Sequence, residues 1–288
     1  MRWHDGCMPT DERLYDALDA SLRYRQDITV STVLRHVTGR RVTALGSAGD
    51  AHVVVKVFHG PRARGNHRRL SALAAAGLKE IVPVSFGCDA TGHVGVLDHR
   101  PGWGLEDLPD QDFVVACRCA GVALRRLHDS GADLDRTWRL DDESAQLARS
   151  APAGLQALAT DVAADALRIP EGPLVPSHRD CHPRQLVVDH QQVAWIDLDD
   201  CAMAPRGLDV GNMIAHLTRE HVVGRRNRSI ASASRQAFLD GYAWSFDPDD
   251  LGRWERLTLV RLAGLAEARH GAPRERDALL LELAEVVA

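Results

Sequence analysis

Apolar positions follow two regimes along the chain. In "ITVSTVLRHV", "RVTAL" and "AHVVVKVF" β-branched residues crowd short runs separated by Gly and Asp turn signals, which predicts strands of an antiparallel sheet. "RGNHRRLSALAAAGL" then has the composition of a helix closed by Gly77. "IVPVSFGCDATGHVGVLDHR" predicts two more strands around a turn at Asp89–Gly92. An earlier stretch, residues 11–24, shows helical spacing at Leu14, Leu18 and Leu22. "PGWG" (Pro101–Gly104) breaks the pattern. Beyond it the spacing is helical in "FVVACRCAGVALRRLHDSG", in residues 142–167, and in "GLDVGNMIAHLTREHV", "SASRQAFLDGYAW" and "DDLGRWERLTLVRLAGLAEAR". Within this half only residues 176–200, "PSHRDCHPRQLVVDHQQVAWIDLDD", predict short strands, "QLVVD" and "QVAWIDL", joined by a tight turn at Asp189-His190. The expected class is α+β. A strand-rich part with one helix, residues 1–97, joins a larger, mainly helical part, residues 98–288, near Leu97 to Gly102.

Composition and charge refine this. With 288 residues, 45% of them apolar, the chain can bury a sizeable core. No apolar run is long enough to span a bilayer, and the charged start lacks the apolar core of a signal peptide, so a cytosolic protein without a membrane partner is expected. The six cysteines are scattered without paired metal spacing, and Cys117 and Cys119, in the apolar run "FVVACRCAGVAL", read as buried thiols. The net charge of −5 argues against a nucleic-acid partner. It is also uneven: 13 basic residues against 9 acidic in 1–97, then 22 against 31. That would suit an anionic cofactor in front and a cationic or polar substrate behind.

Two features carry candidate chemistry. Of 35 basic residues only Lys56 and Lys79 are lysines, and Lys56 lies inside "VVVKVF". An ammonium is a compact point charge that fits between phosphate oxygens, whereas guanidinium is a wide fork. The plainer alternative is a lysine on the exposed face of an edge strand. In residues 176–200, a hairpin would bring Asp180 and Gln185 at one end together with Asp197, Asp199 and Asp200 at the other. Gathered oxygen donors suit Mg²⁺, and Asp180, kept off the metal, could accept a hydroxyl proton. Taken singly, each Asp is equally explained as a turn or capping residue.

The run His178-Arg179-Asp180-Cys181-His182-Pro183-Arg184-Gln185, then Ile196-Asp197, then "GLDVGNMIAHL", resembles the aminoglycoside phosphotransferase and choline kinase-like family, with its pattern H-G-D-x-H-x-x-N, I-D and a later D-[LV]. The resemblance implies a two-lobed protein-kinase-like fold with ATP and Mg²⁺ as cofactors. It implies Asp180 as catalytic base, Gln185 and Asp197 as Mg²⁺ ligands, and Lys56 on the α- and β-phosphates. His178 and Asp209 would brace the catalytic loop from behind. The segment "LGSAGDAH", with Gly46 and Ser47, would approach the phosphates, and the backbone near Leu97 to Arg100, including His99, would hold adenine.

The sequence departs from the pattern at four places. Gln185 stands where Asn is usual, Arg179 replaces a Gly, and "APRGLD" replaces G-D-P-x-x-D. The acid that usually pairs with the lysine falls near Asn66, in "RARGNHRRL", which holds no acid. The expected function is phosphorylation of a hydroxyl on a small polar molecule: an aminoglycoside or other antibiotic, an amino sugar or a sugar. Two alternatives stand beside it. One is a Ser/Thr kinase of a peptide in natural-product biosynthesis. The other is a nucleotide-binding pseudokinase acting as a partner module.

Overall fold

The computed structural model describes residues 28–190 and 192–286. The helix expected over residues 11–24 lies outside them. Contacts divide the chain into two compact units, one of residues 28–75 and 82–100 and the other of residues 76–81 and 101–286.

The first unit is a five-stranded antiparallel sheet of order β1-β2-β3-β5-β4 with one helix. Its strands are β1 (Ile28–Val37), β2 (Arg41–Ala48), β3 (Ala51–Phe58), β4 (Ser85–Cys88) and β5 (Val94–Asp98); α1 spans Ala63–Ala75. Alternation sends Val53, Val55 and Val57 of β3 into one cluster with Val42, Ala44, Val94 and Val96. Pairing of Ala48 with Ala51 leaves Gly49 and Asp50 as a two-residue loop, and Gly49 takes the positive φ (60°) such a loop needs.

In the second unit three helices expected from the sequence form close to their predicted bounds: α2 (Asp110–His128), α5 (Arg206–Val222) and α7 (Pro248–His270). Asp247 caps α7 by accepting the Asp249 and Asp250 N–H groups, with Pro248 in the first turn. Helix α6 starts earlier than expected, at Arg228, because Asn227 accepts the Ile230 N–H at 2.9 Å; it ends at Tyr242. The helix expected over 142–167 is two helices, α3 (Leu140–Ser150) and α4 (Gln156–Ala166). Pro152 separates them, since it has no N–H to continue the ladder. A final helix, α8 (Pro273–Glu285), buries Leu279 and Leu283 and was not anticipated.

The short strands are also more numerous than expected. β8 (Leu186–Asp189) and β9 (Gln192–Trp195) form the hairpin, and Trp103-Gly104 of "PGWG" pairs with Val188 and Val187 as β6. Asp189 pairs with Gln192, so the turn opens at His190 (φ 54°), one residue later than expected. β7 (Leu174–Ser177) and β10 (Ala202–Pro205) make a second antiparallel ribbon. Residues 76–81 pack with this unit, where the Trp195 N–H donates to the Ile81 carbonyl at 2.8 Å.

Candidate active site

The chain leaves β7 at Ser177, turns through residues 178–182 and a 3-10 turn at Pro183–Gln185, and enters the hairpin at Leu186. Leu186 pairs with Trp195, and the Ile196 N–H donates to the Gln185 carbonyl at 2.8 Å. This register sets Gln185 beside Asp197. The Gln185 Nε2 lies 3.3 Å from Asp180 Oδ2 and 3.4 Å from Asp197 Oδ2, so one amide bridges the two carboxylates. Asp197 itself takes φ 59° as the chain turns out of β9.

Of the three acids of "DLDD" expected to converge, Asp200 is the one that turns away from Gln185. Asp197, left-handed, precedes a 3-10 turn of Leu198–Asp200, in which the side chains of Asp199 and Asp200 point about 120° apart. Asp200 turns to Arg136, 3.0 Å away, while Asp197 is the acid that meets Gln185.

Behind the loop sits Asp209 of α5, fully buried. Its two oxygens accept the backbone N–H groups of His178 and Arg179, each at 2.7 Å. His178 ties the loop to the strand end. Its Nδ1 accepts the Asp180 N–H at 3.2 Å, which fixes Nε2 as the protonated nitrogen that donates to the Ile196 carbonyl at 2.8 Å. The sequence named both residues, but not what stands behind them. His128 donates from Nε2 to Asp209 at 3.1 Å, and its Nδ1 accepts the Tyr242 hydroxyl at 2.7 Å. Burial lowers the His128 pKa despite the adjoining carboxylate, so the ring is a neutral donor. Burial raises Asp209, but the hydrogen bonds it accepts from the His128 ring and the His178 backbone N–H outweigh it and hold the carboxyl below its ordinary range. Burial pushes the Tyr242 hydroxyl up to about 12, so it keeps its proton.

Asp180 keeps 45% of its side chain exposed. Desolvation opposes its ionisation, yet the His182 ring N–H and the Arg261 charge hold its carboxyl well below the usual carboxylate range. It is a carboxylate at neutral pH. Arg179, at the Gly position of the family pattern, has φ 70°, the region where a side chain is strained. Its guanidinium lies over the Trp138 ring at 3.7 Å, and Nη1 donates to the Asp200 carbonyl at 3.2 Å. Neither partner was foreseeable, since both come from distant sequence.

In the first unit Lys56 is 6% exposed on a strand with neighbours on both sides, paired with Thr43 and Gly95. This removes the reading of an exposed edge-strand lysine. Asn66, at the position of the missing acid, is buried and accepts a hydrogen bond from Arg69 Nη2. Gly46 and Ser47 are paired residues of β2 and not an open loop; a Cβ on Gly46 would sit 2.8 Å from the Thr29 carbonyl oxygen. Leu97 of β5 pairs with Val54 of β3, and the His99 N–H donates to the His52 carbonyl at 3.3 Å. The five described cysteines are free, and burial pushes the Cys117 thiol up to about 12, which makes it inert.

Residues 32–254 match the model of the phosphotransferase enzyme family, APH. The chain belongs to that family. It is thus a phosphotransferase, and its fold is the kinase-like one of known structures. Among these are a glucosamine kinase in complex with glucosamine, ADP and inorganic phosphate (22% identity over 94% of this chain and 85% of that one, TM-score 0.66). An aminoglycoside phosphotransferase, APH(3'')-Id, from Streptomyces rimosus matches at 15% identity over 85% and 98%, with TM-score 0.62. The choline kinase LicA from Streptococcus pneumoniae matches at 12% over 94% and 99%, with TM-score 0.65. No curated protein gives a significant sequence match. Among the described residues no helix is long and apolar enough to cross a membrane.

Proposed function

We propose that this phosphotransferase moves the γ-phosphoryl group of ATP, with Mg²⁺, to a hydroxyl of a small polar molecule. An aminoglycoside or other antibiotic, an amino sugar or a sugar would serve as acceptor. The observation that carries the reading is the Gln185 bridge between Asp180 and Asp197. It sets an ionised base and a hard oxygen donor a few ångströms apart, as in-line transfer requires.

Asp180 accepts the proton of the acceptor hydroxyl as its oxygen bonds to phosphorus and the bond to ADP breaks. Among the described residues no three His, Cys, Asp or Glu side chains gather as a metal cage. That suits Mg²⁺, which takes one or two protein ligands and completes its shell with water and phosphate oxygens. Asp197 would hold it through a carboxylate oxygen and Gln185 through Oε1, after the amide turns over. Mg²⁺ would supply charge neutralisation at the phosphates. Lys56 is assigned to the α- and β-phosphates, Gly46 and Ser47 to the nearby strand end, and Leu97 and His99 to adenine. His178 and Asp209 hold the loop in shape.

A titration of ATP with and without Mg²⁺ tests the metal assignment. Asp197→Asn should lose the Mg²⁺-dependent part of binding, while Gln185→Asn, which keeps an amide oxygen on a shorter arm, should retain part of it. Unchanged metal dependence in Asp197→Asn would contradict the assignment. One observation favours a second reading, a nucleotide-binding module without transfer: α1 offers Asn66 where an acid would orient Lys56.

A further inference from the structure

Beside Asp180, two imidazoles lie ring on ring. His182 and His216 stack with centroids 4.6 Å apart and planes 24° from parallel. His216 comes from the middle of α5, two turns beyond Asp209 on the same helix. His182 Nδ1 accepts the Arg184 N–H at 3.2 Å, so its proton is on Nε2. That Nε2 lies 3.6 Å from Asp180 Oδ2, the same oxygen that Gln185 Nε2 meets. The His182 N–H thus faces Oδ2, and it stays there when the Gln185 amide turns over.

We propose that His216 is a positioning residue for the phosphotransfer reaction: stacked on His182, it holds that ring so that Nε2 meets Asp180 Oδ2 and Oδ1 is left for the acceptor hydroxyl. The inference rests on the reading of Asp180 as base. The groups facing His216 fit an uncharged platform. Arg261 of α7, anchored by Asn212 Oδ1 one turn earlier on α5, and Arg219 both oppose a proton on His216. Burial acts in the same direction, and the Asp180 charge alone favours protonation. A ring that stays neutral stacks without repelling its neighbour. Without the platform the His182 ring can turn about its last bond, and the base loses a donor that fixes its orientation.

The test has a spectroscopic arm and a kinetic arm, both on the full chain. In ¹⁵N-histidine-labelled protein at neutral pH, the ring nitrogens of His182 should report a single form protonated at Nε2. His216→Ala should average the two tautomers, and His216→Phe, which restores a flat ring, should recover the single form. ADP release with the acceptor found for the wild type, or with water, should show kcat lowered on the order of 10- to 100-fold in His216→Ala. The KM for ATP should stay near wild type, and His216→Phe should restore most of kcat. A residue that only fills the core would change the melting temperature alike in kcat-normal variants. A His182 tautomer unchanged in His216→Ala, or kcat at the wild-type level there, would overturn the proposal. Should His216→Ala fail to fold, His182→Ala must show the same loss of kcat for the proposal to stand. If the tautomer behaves as stated and the wild type transfers to no acceptor, the phosphotransfer reading of Asp180 falls, and with it the catalytic purpose of the stack.

Discussion

Arg179 occupies a backbone position that the family pattern gives to glycine, and its φ of 70° says why glycine is usual there. Left-handed backbone costs a residue with a Cβ roughly 1–2 kcal/mol. The stack on Trp138 and the bond to the Asp200 carbonyl offset that cost. The two contributions separate in a pair of variants. Arg179→Ala keeps the strain and loses the contacts, whereas Arg179→Gly loses both. The glycine variant should therefore be the more stable of the two by about 1 kcal/mol in denaturant unfolding. An alanine variant at least as stable would show that the backbone is not strained. Lys56 makes a second residue-scale case. A wider guanidinium does not occupy the gap of an ammonium, so Lys56→Arg should weaken ATP binding in calorimetry and Lys56→Met should weaken it more. Equal affinity in all three would remove Lys56 from the phosphate site.

Helix α5 is the element on which the loop depends, since it carries Asp209, Asn212 and His216 along one side. Its close approach to α7 is made possible by Gly207 and Gly211. A Cβ on Gly207 would fall 2.1 Å from Trp254 Nε1, and one on Gly211 would fall 2.5 Å from Trp254 Cβ. Gly207→Ala must push the helices apart, at a cost of roughly 1–3 kcal/mol, and should lower both thermal midpoint and kcat. An alanine variant with wild-type melting would contradict this packing. At this scale the sequence was partly legible. β-branched runs announced β1 to β5 and the hairpin, because short loops leave paired strands close in sequence. The ribbon of β7 and β10 was not legible: its strands are four residues each, carry Pro176 and Pro205, and pair across 27 residues. The site divides likewise. Asp180, Gln185 and Asp197 stood out by spacing and Asp209 by the family resemblance, whereas His128, Trp138, Tyr242 and Arg261 reach the loop from other elements with no local signal.

In the whole molecule, acid sensitivity follows from histidines that fold in the neutral form. The His128 and His216 pKa values are lowered, first by burial. In the unfolded chain both titrate near ~6.5, so below that pH the unfolded state binds more protons. Their contribution is complete above about pH 6.5 and is lost as pH falls toward the lowered folded values. Asp209, also lowered, adds a loss only below about pH 4. Thermal midpoints should thus fall between pH 7 and pH 5, and His216→Phe should flatten the fall. A midpoint constant over that range would contradict the neutral histidines. The central claim concerns Asp180, and it separates binding from transfer. ADP release should be followed with amino sugars, sugars and aminoglycosides as acceptors, with ATP affinity measured in parallel for wild type and Asp180→Ala. The account predicts transfer to a hydroxyl acceptor by the wild type, a loss on the order of 10²–10⁴ in rate in the variant, and ATP affinity close to unchanged. Turnover of Asp180→Ala at the wild-type rate would contradict it.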